Sequence, residues 1–305
     1  MASAAVITPA KVKNIVFATD FSKHSNLALP HAAGIARHYN AALRIIHVFD
    51  PLAESESRAA AELQSTAAYQ CQCLEGIPFV VQLEVGDALD VLMRRVERGD
   101  IDLIVLGTHG RVGLPKLLRG SIAEKIIRNA HRPVMTVGPG VESPATAAIR
   151  CILYATDFST ASQDALPHAL SIAKEYDAEL ILLHVLIPSK PPRTNPSEAA
   201  VTEWMSCLEQ TLPNGTPLKQ PPKVLIECGR AADTIVRVAK QQHADLIVMG
   251  VHQGGFLRAS THLPWTITHH VLCHAPCPLL TIREKPALNK EPYRPTLHRL
   301  GLPAA

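Results

Sequence analysis

The stretch Asp102-Leu-Ile-Val-Leu-Gly-Thr-His-Gly110 decides the fold. Leu103 to Leu106 form a short, unbroken apolar run, the pattern of a strand covered on both faces. The run Gly107-Thr-His-Gly110 follows, and after nine further residues comes Gly120-Ser121, which opens a helical stretch from Ser121 to Asn129. A glycine-rich loop between a buried strand and a helix N-terminus is a place where phosphate sits. Free backbone N–H groups and the positive end of the helix dipole attract the anion, and residues without a Cβ let the backbone come close to it. Arg111, Lys116 and Arg119 add cationic charge that offsets a polyphosphate.

Outward from this loop the chain repeats itself. Ala18 to Val48 aligns without gaps with Ala155 to Val185, sharing Ala-Thr-Asp-Phe-Ser, Ala-Leu-Pro-His-Ala and a closing His-Val. Gly86 then pairs with Gly229, Asp102-Leu-Ile-Val with Asp245-Leu-Ile-Val, and Gly107 with Gly250. A chain of 305 residues suits two like domains of about 140 residues, each able to bury one core. In the first repeat, strands are expected at Asn14–Thr19, Ala42–Phe49, Ile77–Glu84, Ile101–Leu106 and Pro133–Val137. Helices are expected near Ser25–His38, Glu54–Cys73, Ala88–Arg98 and Ser121–Asn129. Strands alternating with helices predict a parallel sheet with helices on both faces, and right-handed crossovers make it doubly wound. Ligands of such sheets bind beyond the carboxyl ends of the strands, where Asp20, Val48 and Gly107 fall.

The spacing G-x2-G-x9-G-[S/T] resembles the ATP-binding signature of the universal stress protein family, and the match has no gap or substitution. Ala18-Thr19-Asp20-Phe21-Ser22 is similar to the end of that family's first strand, His47-Val48 to its second, and His131-Arg132-Pro133-Val134 to the start of its fifth. The resemblance implies an α/β, Rossmann-like fold of two tandem five-stranded parallel sheets, each of order 3-2-1-4-5, packed as a pseudo-dimer. It implies domains over 1–141 and 149–285 with a Pro-rich tail over 286–305. It also implies an ATP site, with Mg accompanying the nucleotide, formed by Thr19, Asp20, Val48, Gly107, Thr108, His109, Gly110, Arg111, Gly120, Ser121 and Ile122. Asp20 would hold the adenine or ribose and Val48 would contact adenine through its backbone. Self-association of copies through the sheet edges, as a homodimer, is a further expectation.

Several of these residues also have plain structural roles. Ser121 with Glu124 fits a capping box, and Asp20 fits a turn cap after a strand. His47 and His184, inside strands, read as hydrogen-bonded core histidines. In the second repeat the loop departs from the pattern, with Gly250-Val-His-Gln253 carrying Gln253 where the second glycine belongs. Trp265-Thr266 stand opposite Gly120-Ser121 once a two-residue insertion is allowed. An indole there is expected to fill the phosphate space, leaving a fold without a triphosphate site. The same segment carries His252, His262, His269, His270, Cys273, His274 and Cys277. On a helix from Thr266, His270 and His274 share a face, but no paired CxxC or carboxylate triad accompanies them.

Composition excludes other classes. The chain is 47% hydrophobic, yet no apolar run reaches the length of a membrane span. Met1 to Lys13 lacks the apolar core of a signal peptide. Seven scattered cysteines point to a reducing compartment, and with the rest to a cytoplasmic protein. A net charge of +3 without an aromatic-basic stripe argues against nucleic acid. Gly138 to Ala148 reads as the linker, and Ile187–Pro196 and Leu212–Pro222 as Pro-rich surface segments around a short helix. Two functional classes remain: a stress or regulatory protein for which ATP is a conformational ligand, and an enzyme hydrolysing ATP slowly or transferring adenylyl or phosphoryl groups. The missing GxxxxGK[S/T] and SGGxDS loops, and the lack of a general base beside the glycines, favour binding.

Overall fold

The computed structural model describes residues 12–52, 55–69, 71–108, 122–141, 148–186, 202–203, 205–206, 212, 218–252 and 263–284. The first repeat runs β1 (Asn14–Ala18), α1 (Lys23–Tyr39), β2 (Ala42–Phe49), α2 (Glu56–Tyr69), α3 (Cys71–Leu74), β3 (Phe79–Val85), α4 (Ala88–Glu97), β4 (Leu103–Gly107), α5 (Ile122–Asn129) and β5 (Val134–Val137). The second runs β6 (Cys151–Thr156), α6 (Thr160–Tyr176), β7 (Glu179–Leu186), β8 (Lys223–Cys228), α7 (Ala231–Gln241), β9 (Leu246–Val251), α8 (Leu263–His274) and β10 (Leu279–Arg283). The segment expected as one helix over Glu54–Cys73 is thus two, α2 and α3. Most of the two Pro-rich segments, and the tail from 285, lie outside the described residues.

Both repeats are wound as 3-2-1-4-5, but the two sheets are not separate. They join into one ten-stranded sheet of order β3-β2-β1-β4-β5-β10-β9-β6-β7-β8. Every pairing is parallel except the central one, where β5 and β10 run antiparallel with Met135 opposite Leu280. Reciprocal buried bonds seal this seam: Thr136 Oγ1 donates to Leu279 O at 3.2 Å and Thr281 Oγ1 to Val134 O at 3.1 Å. A single hydrophobic core then spans both repeats beneath α1 and α6, from Ile15 and Phe17 to Leu246 and Ile282, while each repeat keeps a smaller core on its other face. His38 of α1 stacks on Tyr176 of α6 at 3.7 Å between ring centroids.

The duplicated residues do duplicated work. Asp102 Oδ2 accepts the N–H groups of Lys13 and Asn14, and Asp245 Oδ2 those of Arg150 and Cys151, so each carboxylate pins the start of its repeat's first strand. Gly86 and Gly229 follow β3 and β8 with φ of +130° and +146°, a backbone region closed to most side chains. The expected linker is in part packed. Gly138 and Gly140 lie so close to the carbonyls of Leu272 and Ala275 that a Cβ would come within 1.9 and 2.6 Å of their oxygens, and Val141 is buried. Among the described residues no helix is long and apolar enough to cross a membrane, and Cys73, Cys151, Cys228, Cys273 and Cys277 are free thiols.

Candidate functional site

The strand order puts β1 between β2 and β4. The carboxyl ends of these three neighbours therefore lie side by side, about 4.8 Å from strand to strand. Thr19 and Asp20 leave β1 there, Val48 lies near the end of β2, and Gly107 and Thr108 end β4. This is the point at which the winding reverses.

The turn after β1 is built by its own side chains. Thr19 is buried, and its Oγ1 accepts the N–H of Phe21 at 3.0 Å. Asp20 Oδ1 accepts from Ser22 N at 3.1 Å, and Ser22 Oγ accepts from Ser25 N at 3.1 Å, capping α1. These bonds hold Phe21 at φ +60°, a left-handed conformation costly for an aromatic residue, with its ring 4.1 Å from that of His47. His47 Nδ1 bonds the Thr19 carbonyl at 2.8 Å, which makes that nitrogen the donor and fixes the tautomer. The histidine thus serves the core, and Asp20 serves the turn whatever else it does. Val48 is half-buried and Gly107 pairs with Val137. Thr108 is buried, with its N–H bonded to Val137 O at 2.9 Å. Ile122 is exposed at the start of α5, where Glu124 pairs with Arg128 at 3.1 Å. His109, Gly110, Arg111, Gly120 and Ser121 lie outside the described residues.

The second repeat copies the turn closely. Thr156 Oγ1 accepts from Phe158 N, Asp157 Oδ1 from Ser159 N, and Thr156 O from His184 Nδ1, with Phe158 at φ +61°. Burial lowers the His184 pKa, opposed by that carbonyl bond. At the strand ends of the second repeat a side-chain cluster forms. His252, the counterpart of His109, sets Nε2 3.7 Å from Asp157 Oδ2 and Nδ1 3.4 Å from Glu284 Oε2. Thr160 Oγ1 bonds the other oxygen of Glu284. The chain packed around Asp157 would raise its carboxyl, but the bonds from His252 and Ser159 overcome this and hold it below the usual carboxylate range. The same bond to Asp157, with help from Glu284, raises His252 against the opposing effect of packing. The aspartate that corresponds to Asp20 is thus paired with a histidine of the protein itself. In the first repeat Pro139 stands where Glu284 stands, and Lys23 where Thr160 stands.

Gly250 has a packing reason of its own. A Cβ there would lie 2.2 Å from the Ala161 carbonyl, so the glycine lets the start of α6 rest directly on β9. Trp265 and Thr266 sit inside α8, which begins at Leu263 and not near Thr266. The Trp265 side chain, on which the expected filling of the phosphate space depends, lies outside the described residues. On α8, His270 stacks on His274 at 4.2 Å and bonds Asp233 Oδ1 at 2.9 Å, while Cys273 Sγ lies 3.6 Å from His269 Nε2. Among the described residues no three His, Cys, Asp or Glu side chains are grouped to hold a metal ion. Sequence reasoning missed the Asp157–His252–Glu284 cluster; Glu284 gives no local signal, because it meets His252 only through the pairing of β9 with β10.

Comparison with known proteins agrees with this doubled architecture. The model of the universal stress protein family matches residues 11–138 and again 148–283. A universal stress protein of Mycolicibacterium smegmatis is 24% identical over 296 residues, covering 89% of this chain and 97% of its own length. Another, from Methanocaldococcus jannaschii, is 33% identical over 138 residues, covering 41% of this chain and 81% of its own. The crystal structure of a universal stress protein from Archaeoglobus fulgidus shares the fold, with a TM-score of 0.63 at 19% identity over 89% of this chain and 98% of its own.

Proposed function

The chain belongs to the universal stress protein family, and from that premise we propose that its first repeat binds one adenine nucleotide, ATP with Mg, as a conformational ligand in a stress response. The observation that carries this reading is the convergence of Asp20, Val48 and Gly107 on the neighbouring ends of β1, β2 and β4. Ligands of open α/β sheets sit at this place. The residues fit the group: Asp20 is exposed beyond β1, and Pro139 stands where the second repeat has Glu284. Asp20 would hold the ribose or adenine, the backbone of Val48 the adenine edge, and the loop from Gly107 through Gly110, Gly120 and Ser121 to Ile122 the phosphates. Thr108, His109 and Arg111 belong to the same loop. Bound Mg would offset the phosphate charge.

The second repeat is proposed to be the partner that nucleotide does not enter. Gln253 replaces the second glycine, and His252 already occupies Asp157. Self-association of copies would run through β3. This outer edge exposes Phe79, Val80, Val81 and Val85, whereas the other outer strand, β8, presents Lys223 where β3 has Val80. The test of nucleotide binding is to denature the purified full chain and identify the small molecules released. Non-covalent ATP is the expected result, and a covalent adenylate would replace this reading with group transfer.

A further inference from the structure

An unassigned space lies between the repeats, bordered by α1, the end of α6, the end of α7 and the loops that enter β9 and β10. A pocket of about 300 Å³ opens there, and a second of about 210 Å³ adjoins it. Ile35, Met135, Ile149, Tyr176 and Leu246 line both. These residues come from both repeats, so the floor of the pocket exists only because β5 and β10 join the two sheets. Repeat interfaces are a common place for small-molecule pockets, and this volume is at the lower end of their usual range.

The larger pocket has a definite chemistry. Its walls carry the rings of Tyr176, His31 and His243, the faces of Pro276 and Pro278, and the thioether of Met135. Flat rings and a polarizable sulfur suit an aromatic body better than a branched aliphatic one. A cavity of about 150 Å³ holds one benzene ring, so about 300 Å³ accommodates two fused rings. Two charged side chains, Lys240 and Asp245, also line the pocket. The Asp245 carboxylate is engaged by the backbone N–H groups of Arg150 and Cys151, at 2.8 and 3.0 Å. Lys240 has no ion pair among the described residues, and its ammonium is the charge open to a ligand. Burial lowers His31 to about 4, so its ring is neutral near pH 7, and its Nε2 has no hydrogen-bond partner among the described residues.

We propose that this inter-repeat pocket is a second ligand site that takes a two-ring aromatic monocarboxylate, its rings on the apolar floor and its carboxylate on Lys240. It lies apart from the strand ends of the proposed nucleotide site, and a ligand in it would tie the two repeats together. Neither site depends on the other.

The probe is 2-naphthoate, titrated calorimetrically into the full chain, with uncharged 2-naphthamide as the comparison. Saturable binding of one naphthoate per chain is expected, about tenfold or more weaker for the amide and for the Lys240→Met variant. Ala148→Trp, at an exposed position on the rim, should abolish binding while both variants keep the wild-type melting temperature and Mg-ATP affinity. No saturable binding up to about 1 mM, a regime of only a few kcal/mol, overturns the proposal. So does equal affinity for naphthoate and naphthamide, or equal affinity in wild type and Lys240→Met. Should Ala148→Trp fail to fold, the Lys240→Met and amide comparisons decide alone. Loss of Mg-ATP binding with naphthoate binding intact would refute only the nucleotide reading.

Discussion

Replacing His252 with alanine removes the imidazole that joins Asp157 to Glu284, and the resulting loss of stability has a definite pH signature. His252 titrates above its ordinary 6.5, chiefly because Asp157 accepts a hydrogen bond from it. A raised histidine contributes in full below 6.5, and the contribution is lost as pH rises through the raised folded value. Asp157 titrates below its ordinary 3.8, so its contribution is present above 3.8 and is lost as pH falls through the depressed value. The cluster is therefore at full strength between 3.8 and 6.5 and weakens on the alkaline side. The contacts are 3.4 and 3.7 Å long, and the Asp157 side chain is 62% exposed. Solvent screening holds each pair to about 0.5–1 kcal/mol, or about 1–2 kcal/mol for both. Urea unfolding followed by tryptophan emission is a suitable assay, because Trp204 and Trp265 both belong to the second repeat. Wild type should exceed His252→Ala by about that amount near pH 5.5, and the gap should close near pH 9. The same gap at both pH values, or none at the lower one, would refute the reasoning.

Four further outcomes are expected. Gly250→Ala drives a Cβ to 2.2 Å from the Ala161 carbonyl, and the urea midpoint should report a loss of about 1–3 kcal/mol as α6 is pushed off the sheet. Thr19→Val removes the acceptor for Phe21 N; this should cost about 1 kcal/mol by the same assay and weaken ATP several-fold by loosening the turn that holds Asp20. Ser121→Ala should weaken ATP by less than tenfold, about 1 kcal/mol, because backbone amides still hold the anion; fluorescence titration measures it. Val80→Lys gives β3 the charge that protects β8, and sedimentation at high concentration should show self-association in wild type and none in the variant.

Much of the fold was legible because it is local. The alternation of short apolar runs with amphipathic stretches located β1, β2 and β4 within two residues at each end, and the duplication of Ala-Thr-Asp-Phe-Ser carried a whole turn, side-chain bonds included, from one repeat to the other. The joining of the sheets was not legible. Thr136 bonds Leu279 across 143 residues of chain and Thr281 bonds Val134 across 147, and nothing near either threonine marks its partner. Half of the candidate site was readable in the same local way, since Asp20, Val48 and Gly107 fall at strand ends. Gly250 shows the limit of reading glycine as a sign of phosphate, for its lack of a Cβ is already required by the helix resting on it. His252 and His109 look alike in sequence, yet the role of His252 depends on Glu284, brought to it from beyond β10.

The nucleotide stoichiometry of the full chain tests the central claim most directly. Mg-ATP calorimetry should give one site per chain in wild type, and no detectable site in a Gly120→Trp variant that melts as wild type does. Two or three charge-assisted hydrogen bonds lost together, at about 1.5–3 kcal/mol each, account for so large an effect. Two sites per chain, or near-native affinity in well-folded Gly120→Trp, would contradict a single nucleotide site in the first repeat.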